Sequence, residues 1–183
     1  MIKRKFRKIS ITNIKYILLH VVISILLFQG CSTGIENDDL PNILWLVSED
    51  NSPYLGCYGD EFAVTPNLDK LASKGVIYTN AFANTPVCAP ARFTLITGCY
   101  ASSAGTQHMR SKYPIPEEIK FFPEYLRAIG YYCTNNAKED YNTTKPEGVW
   151  DESSNKASYL NRNEGQPFFH VQNFSMNLIR TGL

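Results

Sequence analysis

The chain has little of what marks a nucleic-acid-binding protein, a zinc protein or a protein that spans a membrane. It holds three histidines in 183 residues, and its five cysteines form no zinc-type ladder. The apolar run at residues 16–28 covers 13 positions, whereas a membrane span needs about 20. Six of the 18 basic residues precede residue 31 and no acidic residue does, so the remaining 12 face 17 acids, a net charge of −5. No basic face is therefore expected, and no nucleic acid is predicted as a partner.

What is present suffices for one packed domain, because 44% of the residues are hydrophobic and 13% are aromatic. Past residue 31 the chain has four cysteines. An even number in an exported chain permits two disulfides, but no spacing here requires them. These cysteines are Cys57, Cys88, Cys99 and Cys133.

Residues 1–30 have the layout of an export signal, with a cationic start followed by a short apolar run. Gly30 directly before Cys31 resembles the bacterial lipoprotein box, in which the cysteine is lipidated and becomes the mature N-terminus. We therefore expect a lipoprotein-type signal peptide, a polar tether at residues 31–40, and an exported protein anchored through lipid to a bacterial membrane, in the outer membrane or periplasm. Cleaved soluble export and an uncleaved anchor are the alternatives.

Beyond the tether, apolar runs alternate with segments of helical periodicity, which predicts an α/β fold with a parallel sheet and helices on its faces. The run at residues 42–47 predicts a buried strand. Residues 142–166 are rich in Asn, Ser, Thr and Lys and predict an irregular loop. The other expected strands are 76–83, 131–134 and 168–174, and the expected helices are 66–74, 89–98 and 123–129.

Two carboxylates, Glu49 and Asp50, follow the first predicted strand directly. Ligands in open α/β sheets gather beyond the carboxyl ends of the strands, so this pair is a candidate metal or substrate site. A solvated loop is the simpler interpretation.

Cys88 is predicted to lie at the first turn of a helix, where unpaired backbone N–H groups favour a bound anion. Arg92 follows one turn later on the same face, so its guanidinium is able to return to that point. This pattern describes an anion site that contains a nucleophile. The alternative is a buried thiol that packs as a small hydrophobic group, with Arg92 on the surface.

The stretch CAPARFTLITG, which begins at Cys88, resembles the C-x-P-x-R signature of the type I sulfatases, a branch of the alkaline-phosphatase-like superfamily. The resemblance includes PNILWLVSEDNSPYLGCYGD and TPNLDKLASKGVIYTNAFA, in the same order and spacing as in that family. It covers most of residues 41–174 and implies an alkaline-phosphatase-like sheet with helices on both faces.

The resemblance implies that a sulfatase-maturation enzyme oxidises Cys88 to Cα-formylglycine. In the hydrated aldehyde one hydroxyl attacks sulfur and displaces the alcohol, and the other loses its proton and expels sulfate, which regenerates the aldehyde. Arg92 is then implied to hold the hydrate. Glu49, Asp50 and the converted Cys88 are implied ligands of Ca²⁺, or alternatively Mg²⁺, which hard oxygen ligands suit.

The block GYYCTNNAKEDYN implies that Lys138 contacts the sulfate, with Asp140 where the family often has a histidine. His108 is a candidate substrate contact, or a satisfied polar residue. The resemblance thus implies a sulfuric ester hydrolase acting on sulfated glycans. A phosphate-ester hydrolase of the same superfamily and a non-catalytic surface lipoprotein that binds sulfated glycans are the alternatives.

Residues 41–177 are expected to be the N-terminal part of a sulfatase domain, followed by an atypical tail at residues 178–183. Family chains place a histidine after the strand that corresponds to 168–174, whereas Asn177 and the residues after it supply none, and His170 comes too early. The sequence as written is therefore expected to be a shortened sulfatase with low or no activity.

Overall fold

The computed structural model of the chain describes residues 40–50 and 52–174. The predicted signal peptide, the lipidation site Cys31, most of the tether, Asn177 and the predicted tail lie outside these residues. The strands are β1 (Ile43–Ser48), β2 (Tyr132–Asn136), β3 (Glu152–Ser153) and β4 (Phe168–Phe174). The α-helices are α1 (Pro66–Ala72), α2 (Cys88–Thr97) and α3 (Phe122–Ala128).

The four strands form one parallel sheet in the order β1-β4-β2-β3. Ile43 of β1 pairs with Phe169 of β4, and Cys133 of β2 pairs with the same residue from the other side. The predicted α/β class and the last strand at 168–174 are confirmed. Because all four strands run the same way, their carboxyl ends meet at one edge of the sheet, which is the edge where such folds bind ligands.

The core lies against β4, whose Phe169 is fully buried. Trp45 meets the Phe169 ring edge-on with ring centroids 5.4 Å apart, and Phe122 of α3 packs against both rings at 5.0 Å. Trp150 stacks on Phe169 from a further side at 5.9 Å. The aromatic cluster packs β1 and α3 against the middle of the sheet. Large rings bury much apolar area, so these contacts stabilise that packing.

The prediction that the first strand is buried on both faces is wrong for one face. Trp45 and Val47 pack against the core, but Leu44 and Leu46 on the opposite face are each 51% exposed. β1 is the edge strand of the four-stranded sheet, and the side chains of a strand alternate between its faces. The alternation therefore leaves one apolar face of β1 in contact with solvent.

Helix α2 forms where local signals predict it. Val87 is extended and precedes the first turn, Pro90 lies in that turn, and Gly98 ends the helix with a φ of 70°, a conformation that glycine adopts without strain. Phe93 and Ile96 are buried on its inner face. The sequence-based expectation of a helix at 89–98 is thus confirmed within one residue at each end.

Two segments differ, one wholly and one in small part, from the local structure expected of them. The apolar segment 76–83 forms no strand, and its Tyr78 and Phe82 rings are exposed. The supposed loop at 142–166 contains the short strand β3 and a 3₁₀ turn at Tyr159–Asn161. Within the described residues, no helix combines the length and the apolar character that a membrane crossing requires.

Candidate active site

The carboxyl edge of the sheet brings together residues that lie far apart in the sequence. Glu49 follows β1 and Lys138 follows β2 by two residues, on opposite sides of β4. The Lys138 Nζ lies 2.8 Å from the Glu49 Oε2. Both side chains are partly shielded from solvent, so their attraction is screened less than that of an exposed pair.

Arg92 reaches the same edge from α2 and is 5% exposed. Its Nε donates to the carbonyl of Glu139 at 2.7 Å, and its second terminal nitrogen donates to the carbonyl of Lys138. Its first terminal nitrogen lies 3.5 Å from the Glu49 Oε1. The interpretation that leaves Arg92 on the surface is therefore wrong, because the guanidinium is buried and satisfied by carbonyl and carboxylate oxygens.

Cys88 is the first residue of α2 and carries a half-buried free thiol. Residues four apart lie on the same face of a helix, so Cys88 and Arg92 share a face of α2. On that face Arg92 binds the backbone that follows β2. The guanidinium was expected to return to Cys88, whereas its hydrogen bonds run to Glu49, Lys138 and Glu139. Arg92 thus links the helix that bears the thiol to the carboxyl edge of the sheet.

A cleft of about 390 Å³ opens at this edge. Glu49 and Lys138 lie in its wall together with Ala137 and four residues that carry side-chain amides. The Asn173 Oδ1 is buried and has no hydrogen-bond partner among the described residues. The amides and the ring that complete the lining belong to Asn136, Asn155, Gln172, Asn173 and Phe174.

Two of the three predicted metal ligands, Glu49 and Asp50, fit only part of a cation shell. Both Glu49 oxygens face cationic side chains, and Asp50 is exposed with a φ of 58°. Within residues 40–50 and 52–174, no three His, Cys, Asp or Glu side chains are grouped so as to hold a metal. Since Ca²⁺ takes about six to eight oxygen ligands, Glu49 and Asp50 supply a fraction of what it needs.

His108 is not brought to Lys138. Its exposed ring contacts the Gln107 side chain at 3.3 Å, and its carbonyl accepts a hydrogen bond from Asn142 at 2.7 Å. His170 is buried inside β4, where Nδ1 lies 2.7 Å from the Thr134 hydroxyl oxygen. The inference that His170 lies too early in the chain to serve the site agrees with this position.

Tyr141 packs beside Arg92, with the guanidinium carbon 5.7 Å from the ring centroid. Burial raises the pKa of the Tyr141 phenol, and the Arg92 charge opposes that shift only partly. The Tyr141 phenol is therefore neutral at physiological pH and adds no negative charge beside Arg92. Nothing in the sequence around Tyr141 singled it out, because the contact joins residues 49 positions apart.

The four cysteines within the described residues, Cys57, Cys88, Cys99 and Cys133, are free. The two disulfides that an even number permits are thus not formed among them.

The partial domain is an α/β fold with a parallel four-stranded sheet, and it is similar to the alkaline-phosphatase-like sulfatase structures. Residues 41–179 match the family model described as Sulfatase. The chain therefore belongs to the sulfatase family.

Three comparisons show the range of that similarity. An ulvan-active sulfatase of Formosa agariphila is 46% identical over 156 residues, which cover 79% of this chain and 26% of that protein. The iduronate 2-sulfatase of Mus musculus is 34% identical over 111 residues, which cover 60% of this chain and 20% of that protein. The solved structure of a 2-O GAG sulfatase superposes with a TM-score of 0.64 at 20% identity, over 78% of this chain and 36% of that one, and supports the fold.

The chain thus spans between a fifth and about a quarter of the length of these two curated relatives.

Proposed function

We propose that the described residues form the nucleophile side of a sulfatase active site that hydrolyses sulfate esters of glycans. One observation carries the proposal: α2 presents Cys88 at its first residue, and Arg92 one turn later is buried against the segment that holds Lys138. A helix start, a fixed guanidinium and an ammonium group give a site that favours a tetrahedral anion.

In this proposal Cys88 acts after oxidation to formylglycine by a maturation enzyme, since a free thiol lacks the second hydroxyl that releases sulfate. The hydrated aldehyde supplies the attacking oxygen and the means of expelling the product. Arg92 keeps the start of α2 against the carboxyl edge. Lys138 donates to a sulfate oxygen and gives up its bond to Glu49 when it does so.

Glu49, Asp50 and the converted Cys88 are the residues that would hold a Ca²⁺ or Mg²⁺ ion. Such an ion neutralises charge on the sulfate oxygens. Lys138 and Arg92 orient the Glu49 carboxylate, and a cation that binds there has to displace Lys138 from it. Ca²⁺ takes about six to eight oxygen ligands, so these three residues would form only part of its shell.

Sulfated glycans are the proposed substrate class. Four of the eight residues that line the cleft carry side-chain amides, and amides offer both donors and acceptors to sugar hydroxyls. One relative is described as ulvan-active and another as an iduronate 2-sulfatase, which supports the same class. Export and anchoring through a lipid on Cys31 remain part of the proposal and would place the site at the bacterial surface or in the periplasm.

The test is single-turnover sulfate release, with the chain co-expressed with a sulfatase-maturation enzyme and held in excess over substrate. We expect slow release from para-nitrophenyl sulfate and from sulfated oligosaccharides, abolished in Cys88→Ala and strongly reduced in Lys138→Ala. Lys74→Ala is the matched control, because Lys74 is an exposed lysine just past the end of α1.

Release that persists in Cys88→Ala would contradict the proposal. Faster release of phosphate from para-nitrophenyl phosphate would instead favour a phosphate-ester hydrolase. Binding of sulfated oligosaccharides without any release from the converted protein would favour a non-catalytic glycan-binding role.

A further inference from the structure

A second polar cleft has a volume of about 370 Å³. Its wall comes from two segments that the sequence places about 30 residues apart, one at residues 110–112 and one at residues 139–145. The proposed sulfatase reaction makes no use of this cleft. Its charged lining residues are Arg110, Lys112, Glu139, Asp140 and Lys145, and its buried lining residues are Tyr141 and Asn142.

The cleft carries unbalanced positive charge. The Glu139 Oε1 lies 2.8 Å from the Lys145 Nζ, and Asp140 faces Lys138 at 3.7 Å. Both acids of the cleft are therefore engaged with a lysine. Among the described residues, no carboxylate lies within ion-pair distance of Arg110 or of Lys112.

The backbone beneath these two cations is held in place. The Asn142 side chain is buried, accepts a hydrogen bond from the Ser111 N–H at 2.8 Å, and donates to the His108 carbonyl at 2.7 Å. The Thr144 hydroxyl donates to the Lys112 carbonyl at 3.3 Å. A ligand that binds Arg110 and Lys112 therefore has to order only their two side chains, because the backbone of residues 110–112 is already held. The entropic cost of binding is lower than for a site on a loose loop.

A lining residue of each cleft contacts one of the other, because the Lys138 Nζ lies 3.7 Å from the Asp140 Oδ2. A ligand of two or more sugars is therefore the kind that would reach both clefts. We propose that Arg110 and Lys112 bind an anionic group, a sulfate or a uronate carboxylate, on a sugar next to the one whose sulfate lies beside Lys138. This inference rests on the proposed function.

Calorimetry on the full chain tests this inference by measuring the Kd of three probes. They are para-nitrophenyl sulfate, a heparin-derived tetrasaccharide and the same tetrasaccharide after desulfation. Desulfation leaves the uronate carboxylates in place. Two exposed cations facing one anion are expected to contribute a factor of about five or more. The double variant Arg110→Gln, Lys112→Gln is therefore expected to raise the Kd of the sulfated tetrasaccharide by that factor. Its Kd for para-nitrophenyl sulfate should stay as in the wild type.

Lys74→Gln is the control and should change neither Kd. A loss confined to the sulfated tetrasaccharide identifies a sulfate as the bound group, and an equal proportional loss for the desulfated one identifies the carboxylate. Unchanged tetrasaccharide binding in the double variant would overturn the inference. Failure of the proposed function would appear separately, as a Kd for para-nitrophenyl sulfate that is the same in Lys138→Ala as in the wild type.

Discussion

The Nζ of Lys138 lies 2.8 Å from the Oε2 of Glu49, so an ion pair passes over the end of β4 and joins the residues that follow β1 and β2. Arg92 reaches the other Glu49 oxygen at 3.5 Å. The acidic group is thus held by two cations at the place where the family resemblance implies a metal ligand.

Calcium binding to the chain is expected to be weak for this reason. A cation has to displace Lys138 from Glu49, and within the described residues no three His, Cys, Asp or Glu side chains are grouped to hold it. Calorimetry should give a Kd no tighter than about millimolar, and the signal should be lost in Asp50→Ala. Micromolar binding that survives in Asp50→Ala would mean that other residues form the shell.

Replacing Arg92 by lysine is expected to destabilise the protein by about 2–4 kcal/mol, because the variant keeps the charge but loses the fork that binds two carbonyls and a carboxylate. Urea unfolding followed by circular dichroism measures the change. Lys120→Arg, at an exposed lysine outside this network, should stay near the wild-type value. An Arg92→Lys protein as stable as wild type would show that these bonds contribute little.

Gly56→Ala is expected to destabilise the loop before α1. A Cβ at this position would lie 2.6 Å from the Asp69 Oδ2, and the Asp69 carboxylate also accepts hydrogen bonds from the Cys57 N–H and the Thr65 hydroxyl. The carboxylate has to move and give up those bonds, at a cost of about 1–3 kcal/mol.

Gly75→Ala is the matched control for that variant, since its Cβ would meet only the Leu71 carbonyl oxygen, at an ordinary 3.5 Å. The difference in unfolding midpoint between the two variants reports the contact with Asp69. Equal midpoints would contradict the close approach.

Residue types next to each other in the sequence predicted the elements whose ends depend on such neighbours, as helix α2 shows. Helix α2 has an extended residue before its first turn, a proline in that turn and a glycine at its end, all within twelve positions of the sequence. The segment 76–83 has the composition of a strand as well, but a strand needs a neighbour to pair with. Its side chains, such as Tyr78, lie exposed, so composition alone misassigned it.

The site was predictable only in part. The rule that carboxyl ends of parallel strands share an edge places Glu49 near the residues after β2, and the family resemblance identifies Lys138. That Lys138 would bind Glu49 across β4, and that Arg92 would bind two backbone carbonyls, depends on contacts 46 or more positions apart, for which the sequence carries no local pattern.

The Cys133 thiol is expected to resist alkylation in the folded protein. Burial is the main cause that raises its pKa to about 12, and the Asp151 charge adds to it. At about pH 8 the reactive thiolate is then nearly absent, whereas an ordinary cysteine with a pKa of about 8.5 is partly ionised. Iodoacetamide labelling read by peptide mass spectrometry should modify half-buried Cys57 and Cys99 first, and Cys133 only after denaturation. Equal labelling rates in the folded state would contradict the burial.

Conversion of Cys88 tests the central claim most directly. The chain is co-expressed with a sulfatase-maturation enzyme, and the peptides that contain Cys88 and Cys99 are analysed by mass spectrometry after labelling with a hydrazide, which reacts with aldehydes and not with thiols. We predict that the peptide with Cys88 loses its thiol and takes up the label, while Cys99, at the other end of α2, keeps its thiol. An intact thiol at Cys88, under conditions that convert a known sulfatase substrate of the same maturation enzyme, would contradict the assignment of Cys88 as the precursor of the nucleophile.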